Sequence, residues 1–163
     1  MRAQISAESK PSADNLIFSF CPFQSLSLDR LYAAMALRQR VFVVEQDCPY
    51  LDADGIDQNC LHVLGTAGDV LVAYARILPP GLGHEHPRIG RVVTAPEVRG
   101  TGAGKQLMRF SIDCVRKEYG PCTVHISAQS YLERFYRELG FIPTGHEYLE
   151  DGIPHMAMEM HTD

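Results

Sequence analysis

Apolar and polar residues alternate along 16–21, which predicts an opening strand. From Ser27 the period changes. Leu28, Leu31, Ala34, Met35 and Val41/Phe42 recur near every 3.6 residues, predicting a helix to about Val43 with Ser27 or Asp29 as its cap. Residues 48–59 carry Pro and acids and read as loop. Strands at 60–65 and 70–78 are joined at Thr66–Asp69 as a hairpin, and a Pro-, Gly- and His-rich turn spans 79–87. A strand at 89–94, a helix at 103–117, a strand at 122–128, a helix at 130–139 and a strand at 141–149 follow. Gly152-Ile153-Pro154 turns the chain into a last strand at 155–160. Strands and helices mix in an α/β (α+β) order that predicts one domain over 16–163, preceded by a polar, fraying segment at 1–15.

Composition narrows the partners. A chain of 163 residues with 45% hydrophobic content builds a core without metal or disulfide support. Net charge is −5 and no basic run occurs, which argues against nucleic acid. No stretch nears the roughly 20 apolar residues of a membrane span, and the N-terminus lacks the apolar core of a secretory signal. The five cysteines are scattered and make no Cys-x-x-Cys, so reduced thiols in a cytoplasmic protein are expected rather than a disulfide framework or zinc site. Asp52-x-Asp54-Gly55-x-Asp57 lacks the calcium-loop pattern at positions 56 and 63, though its acids could attract a cationic amine. His84-Glu85-His86 reads as a solvated turn, and no metal is expected.

The chemistry concentrates at Arg99-Gly100-Thr101-Gly102-Ala103-Gly104-Lys105, where a strand hands over to a helix. Unpartnered amides at a helix start carry partial positive charge and cradle phosphate. Two familiar phosphate loops fail. A P-loop ending at Gly104-Lys105 would need Gly at position 99 and a hydroxyl residue at 106, where Arg99 and Gln106 stand. A dinucleotide fingerprint would need Gly at Lys105 or Leu107.

The pattern met by Arg99, Gly102 and Gly104, [RQ]-x-x-G-x-[GA], resembles the pyrophosphate loop of the GNAT acyl-CoA N-acyltransferases. Gln129 to Phe141 is similar to a second motif of that family, matching at Phe135-Tyr136 and Gly140-Phe141, with Gln129 for the usual Asn and Leu132 for the usual Ala. Segments at 38–50, 52–55, 73–78 and 150–155 resemble the ElaA-like branch. The resemblance implies a central mixed, mostly antiparallel sheet flanked by helices, and a site for acetyl-CoA as cosubstrate. It names no acceptor, and it leaves a homodimer open.

Acyl transfer from a thioester to an amine needs the donor held, the amine deprotonated, the oxyanion stabilised and the thiolate protonated. By resemblance, Arg99 to Lys105 hold the pyrophosphate. Val92, Val93 and Thr94 offer backbone groups to the pantetheine arm, one as oxyanion donor, and Gln129 bonds that arm. Tyr136 matches the family tyrosine facing the sulfur, and a phenol can reprotonate a thiolate. Glu45 follows an apolar run, so partial burial would raise its pKa and make it the general base. His62 and His155 are rivals for that role. Arg38, Gln46, Tyr50 and His155, with Glu45, are expected around the acceptor, a primary amine of a small molecule or peptide. No cysteine is placed to relay the acyl group, so direct transfer in a ternary complex is expected. Two other readings stay open. The Arg38–Gln46 segment also resembles acyl-homoserine-lactone synthases, and a non-catalytic CoA-binding sensor would need the same loop.

Overall fold

The computed structural model describes residues 13–163. Of the expected fraying segment, 1–12 lies outside the described residues, and Ala13–Asn15 form a short 3-10 turn with Ala13 buried, not a frayed end. Seven strands build one sheet: β1 (Leu16–Pro22), β2 (Leu61–Ala67), β3 (Val70–Leu78), β4 (Arg88–Thr94), β5 (Cys122–Gln129), β6 (Ile142–Glu150) and β7 (Ile153–Thr162). Their spatial order is β1-β2-β3-β4-β5-β7-β6. Every pairing is antiparallel except β4 with β5. Among the described residues, three α-helices flank the sheet: α1 (Leu28–Arg38), α2 (Ala103–Tyr119) and α3 (Glu133–Arg137).

Strand alternation sorts the core into two layers. On one face Ala75, Ile77, Ile89, Ile126, Ala128 and Met158 pack under α2 and α3 through Leu107, Met108 and Tyr136. On the other, Leu64, Tyr74 and Val93 pack under α1 through Ala34 and Leu37. Ser27 caps α1, its hydroxyl accepting from the Arg30 amide at 3.2 Å.

The predicted helix at 28–43 is two pieces. After Arg38 the chain widens into a π-helical segment, Gln39–Glu45, in which the Gln46 amide reaches back to the Val41 carbonyl at 3.0 Å. The predicted helix at 130–139 likewise splits into a 3-10 turn, Ser130–Leu132, and the short α3. Asp151 and Gly152, both left-handed, make the two-residue turn between β6 and β7, so β7 begins at Ile153, ahead of the predicted position 155.

One irregularity positions the site. Tyr74 pairs with Val93 while Arg76 pairs with Gly90, so β4 carries one extra residue there. Arg91 holds this bulge at φ 51, left-handed for a non-glycine residue. β4 and β5 pair only at Arg88/His125 and Ile89/Ile126, and beyond that point they part.

Candidate active site

The parting strands open a cavity of about 930 Å³. Its lining includes the glycine loop, Val92 and Thr94 of β4, His125, Ser127 and Gln129 of β5, and Tyr136 of α3. Gln46 and Tyr50 from the segment after α1, and Tyr148, Glu150 and His155 around the β6–β7 turn, complete the walls.

The loop leaves backbone donors along the cavity wall. Gly102, the N-terminal flank of α2, sits at φ 90 and offers no side-chain cap. The Thr101 hydroxyl turns away to the Val98 carbonyl at 2.6 Å, and Thr101 is absent from the cavity wall. The α2 amides after Gly102 therefore open its first turn with no acceptor inside the helix. A Cβ on Gly102 would meet nothing within 4 Å, so space lies over these amides, whereas one on Gly104 would touch the Phe135 ring at 3.5 Å. Open room, free donors and the helix dipole fit a diphosphate.

The side chains of that loop are engaged. Arg99 donates to both Glu45 carboxylate oxygens, at 2.5 and 3.1 Å, and Lys105 bonds Glu138 at 2.6 Å. Glu45 thus lines the cavity as half of an ion pair and stays 40% exposed; the burial expected of it is not found, because the π-helical segment leaves it at the surface. Val93 points to the opposite core layer, and Val92 and Thr94 face the cavity.

Tyr136 is buried against the cavity, with Phe135 and Phe141 edge-on at ring centroids 5.0 and 6.0 Å. Burial pushes its phenol up, so it stays protonated at neutral pH. Left-handed Gly140 fixes its backbone: the Phe141 amide returns to the Tyr136 carbonyl at 3.1 Å and the Gly140 amide to Arg137 at 3.0 Å, a Schellman closure. The Gln129 amide donates to Gln46 Oε1 at 3.3 Å.

Opposite lies a polar chain in which sequence reading named His155 but missed Ser127, Tyr148 and Glu150. Ser127 donates its single proton to Glu150 Oε2 at 2.8 Å, so Tyr148, also bonded to Ser127, is the donor in that contact. The Ile153 carbonyl can only accept, so His155 Nδ1 donates to it at 2.7 Å. Nε2 is then the ring nitrogen not engaged with the backbone, 3.8 Å from Glu150. Tyr148 stacks on the same imidazole, with centroids 6.2 Å apart. The available signals were the period-2 alternation of β5, which groups Ser127 with Gln129, and the Asp-Gly turn that brings Glu150 to His155.

Three expectations are corrected. Arg38 is not at the acceptor; it is buried at 1% exposure and bonds Asp52 at 2.7 Å and Asp57 at 2.9 Å. Nor are the acids at 52–57 free to attract an amine. Arg76 bonds Asp54 and Asp57, and Arg91 bonds Asp52 at 2.7 Å, so three arginines neutralise three aspartates. His62 is removed from the base question because Tyr74 and the Asp57 carbonyl hold both its nitrogens, at 2.7 and 2.9 Å.

The sequence profile of the acetyltransferase (GNAT) domain matches residues 37–162. The chain belongs to the GNAT acetyltransferase family. It is 45% identical to Escherichia coli protein ElaA over 135 residues, 82% of this chain and 88% of that one. The crystal structure of E. coli ElaA superposes with TM-score 0.84, covering 89% of this chain and 99% of that one at 41% identity. An acyl-CoA N-acyltransferase from Pseudomonas aeruginosa superposes with TM-score 0.85 at 37% identity, over 89% of this chain and 99% of that one. The seven-stranded sheet flanked by helices is the GNAT fold, and the membership marks the chain as an acyltransferase of the ElaA-like branch. Among the described residues, no helix is long and apolar enough to cross a membrane, and no group of three or more His, Cys, Asp or Glu is arranged to hold a metal.

Proposed function

We propose that this protein is an N-acetyltransferase that moves the acetyl group of acetyl-CoA directly to a primary amine of a small molecule or peptide. One observation carries the reading: a single cavity joins the anion-ready start of α2 to the Ser127–Glu150–His155 group, through the gap where β4 leaves β5. Donor and acceptor thus reach each other from opposite ends, as a ternary complex requires.

The thioester supplies the acyl group, and the chain supplies everything else. The amides of residues 102–105 hold the diphosphate, with Arg99 and Lys105 adding charge. Gln129 orients the pantetheine arm. A β4 backbone N–H beside the bulge, within Val92–Thr94, faces the carbonyl oxygen as negative charge develops. His155 Nε2 takes the proton of the attacking amine, and Glu150 beside it stabilises the resulting imidazolium. Glu45, paired with Arg99, competes with the diphosphate for that guanidinium and does not serve as base. Tyr136 gives its proton to the departing thiolate. Gln46 and Tyr50 shape the acceptor side. No cysteine relay is needed.

A screen of an amine library with acetyl-CoA, read by release of free thiol, tests the reading. At least one amine class should give turnover together with an acetylated product. Coenzyme A binding with no thiol release across primary amines would leave a sensor, and lactone release from S-adenosylmethionine would place the chemistry with the homoserine-lactone synthases.

A further inference from the structure

Five cationic side chains line the cavity: Arg76, Arg88, Arg91, Arg99 and Lys105. Four are committed to carboxylates, Arg76 to Asp54 and Asp57, Arg91 to Asp52, Arg99 to Glu45 and Lys105 to Glu138. The Arg88 side chain makes no hydrogen bond or ion pair with any described residue, and the residue is exposed.

Sheet register places Arg88 one step from the acceptor group. One row across the sheet reads Leu78, Arg88, His125, Glu159; two residues on, where β4 and β5 have parted, Gly90 of β4 still faces Arg76 and Ser127 of β5 faces Ala157. Successive same-face residues on a strand lie roughly 7 Å apart. Gly90 and Ala157, small residues in the cavity lining, keep its floor low between Arg76 and Ser127; a Cβ on Gly90 would meet only Leu78, at 4.0 Å. Arg76 walls one side of that floor and is 4% exposed, yet its Nε has no partner among the described residues. A buried donor left unmatched is rare, and Arg76 lines the same cavity as Arg88. Ser127 and Glu150 wall the other side. The acceptor region is therefore dipolar, anionic where the amine must lie and cationic one strand step away.

We propose that Arg88, seated beside Arg76, forms an acid subsite, and that the acceptor is an amine that also carries an anionic group, a carboxylate or a phosphate, about one strand step from its nitrogen. This rests on the acyl-transfer reading above and adds the class of acceptor to it.

Matched acceptors test it: 4-aminobutyrate and 3-aminopropyl phosphate against butylamine, which lacks the acid. The wild-type protein should prefer an acid-bearing amine in kcat/KM by roughly ten- to a hundredfold, as a charge-assisted pair allows. Whichever of the two acids wins identifies carboxylate or phosphate. Arg88→Ala should bring the ratio near one, and Arg88→Glu should turn the preference to 1,4-diaminobutane. No preference in the wild type, or one that survives Arg88→Ala, overturns the subsite. Calorimetry with the product analogues 4-acetamidobutyrate and 3-acetamidopropyl phosphate, in the presence of coenzyme A, needs no turnover. At least one should bind roughly tenfold weaker to Arg88→Ala, by loss of the same pair. Failure of both to bind, or unchanged affinity in the variant, overturns the subsite even if butylamine is acetylated. Arg88-dependent binding with no amine acetylated would overturn acyl transfer and leave the subsite standing.

Discussion

Arg99 of the glycine loop and Glu45 at the end of the π-helical segment are bound to each other, the guanidinium meeting both carboxylate oxygens at 2.5 and 3.1 Å. The residue expected to meet phosphate and the one expected to serve as base thus hold each other across the cavity. A diphosphate arriving at the loop competes with Glu45 for Arg99. Glu45→Gln should therefore tighten coenzyme A by about two- to fivefold, the range of an exposed ion pair. Titration calorimetry checks this, and unchanged affinity would place Arg99 outside the diphosphate contact.

Tyr136 is buried and its phenol is held protonated. Tyr136→Phe keeps the packing against Phe135 and Phe141 and removes only the proton. Turnover should fall roughly a hundredfold or more, with little change in KM for acetyl-CoA. An undiminished kcat would hand the acid role to water.

Arg38 shares the buried cluster with Asp52 and Asp57. Arg38→Met leaves those carboxylates short of a partner inside the protein. Unfolding in urea should show a loss of roughly 3–5 kcal/mol. A loss under 1 kcal/mol would mean that Arg76 and Arg91 suffice alone.

Acid should weaken the same cluster. Burial on its own raises the Asp54 pKa, but hydrogen bonds from Arg76 and the Ile56 amide, with the Arg76 and Arg91 charges, bring it down to about 2 from 3.8. A depressed carboxylate stabilises the fold fully above its unfolded value and loses that contribution as pH falls to the folded one. The melting temperature should fall between about pH 4 and 2 more steeply in the wild type than in Asp54→Asn, which is less stable at neutral pH. Parallel curves would remove Asp54 from the account.

Much of this was legible in the chain because periodicity carries it. The seven strands, α1 and α2 follow from alternation and the 3.6 period, and the anion loop from its glycines and position. What stayed hidden depends on distant pairings. Arg38 reads as helix-surface charge until the loop at 52–57 folds back with its acids. The bulge at Arg91 is a mismatch between two strands and leaves no mark in either one alone. Ser127, Tyr148 and Glu150 lie on two strands that meet only through β7, so their chain of bonds has no sequence spacing. The shift to a π-helix at Gln39 exposes Glu45, and an apolar run at 41–44 gave the opposite expectation.

The most direct measurement is a crystal structure of the protein with coenzyme A. The diphosphate should lie on the amides of residues 102–105, with the thiol between β4 and β5 beside Tyr136. Coenzyme A bound away from that gap, or threaded with its thiol far from Tyr136 and His155, would contradict the assignment of both the loop and the chemistry.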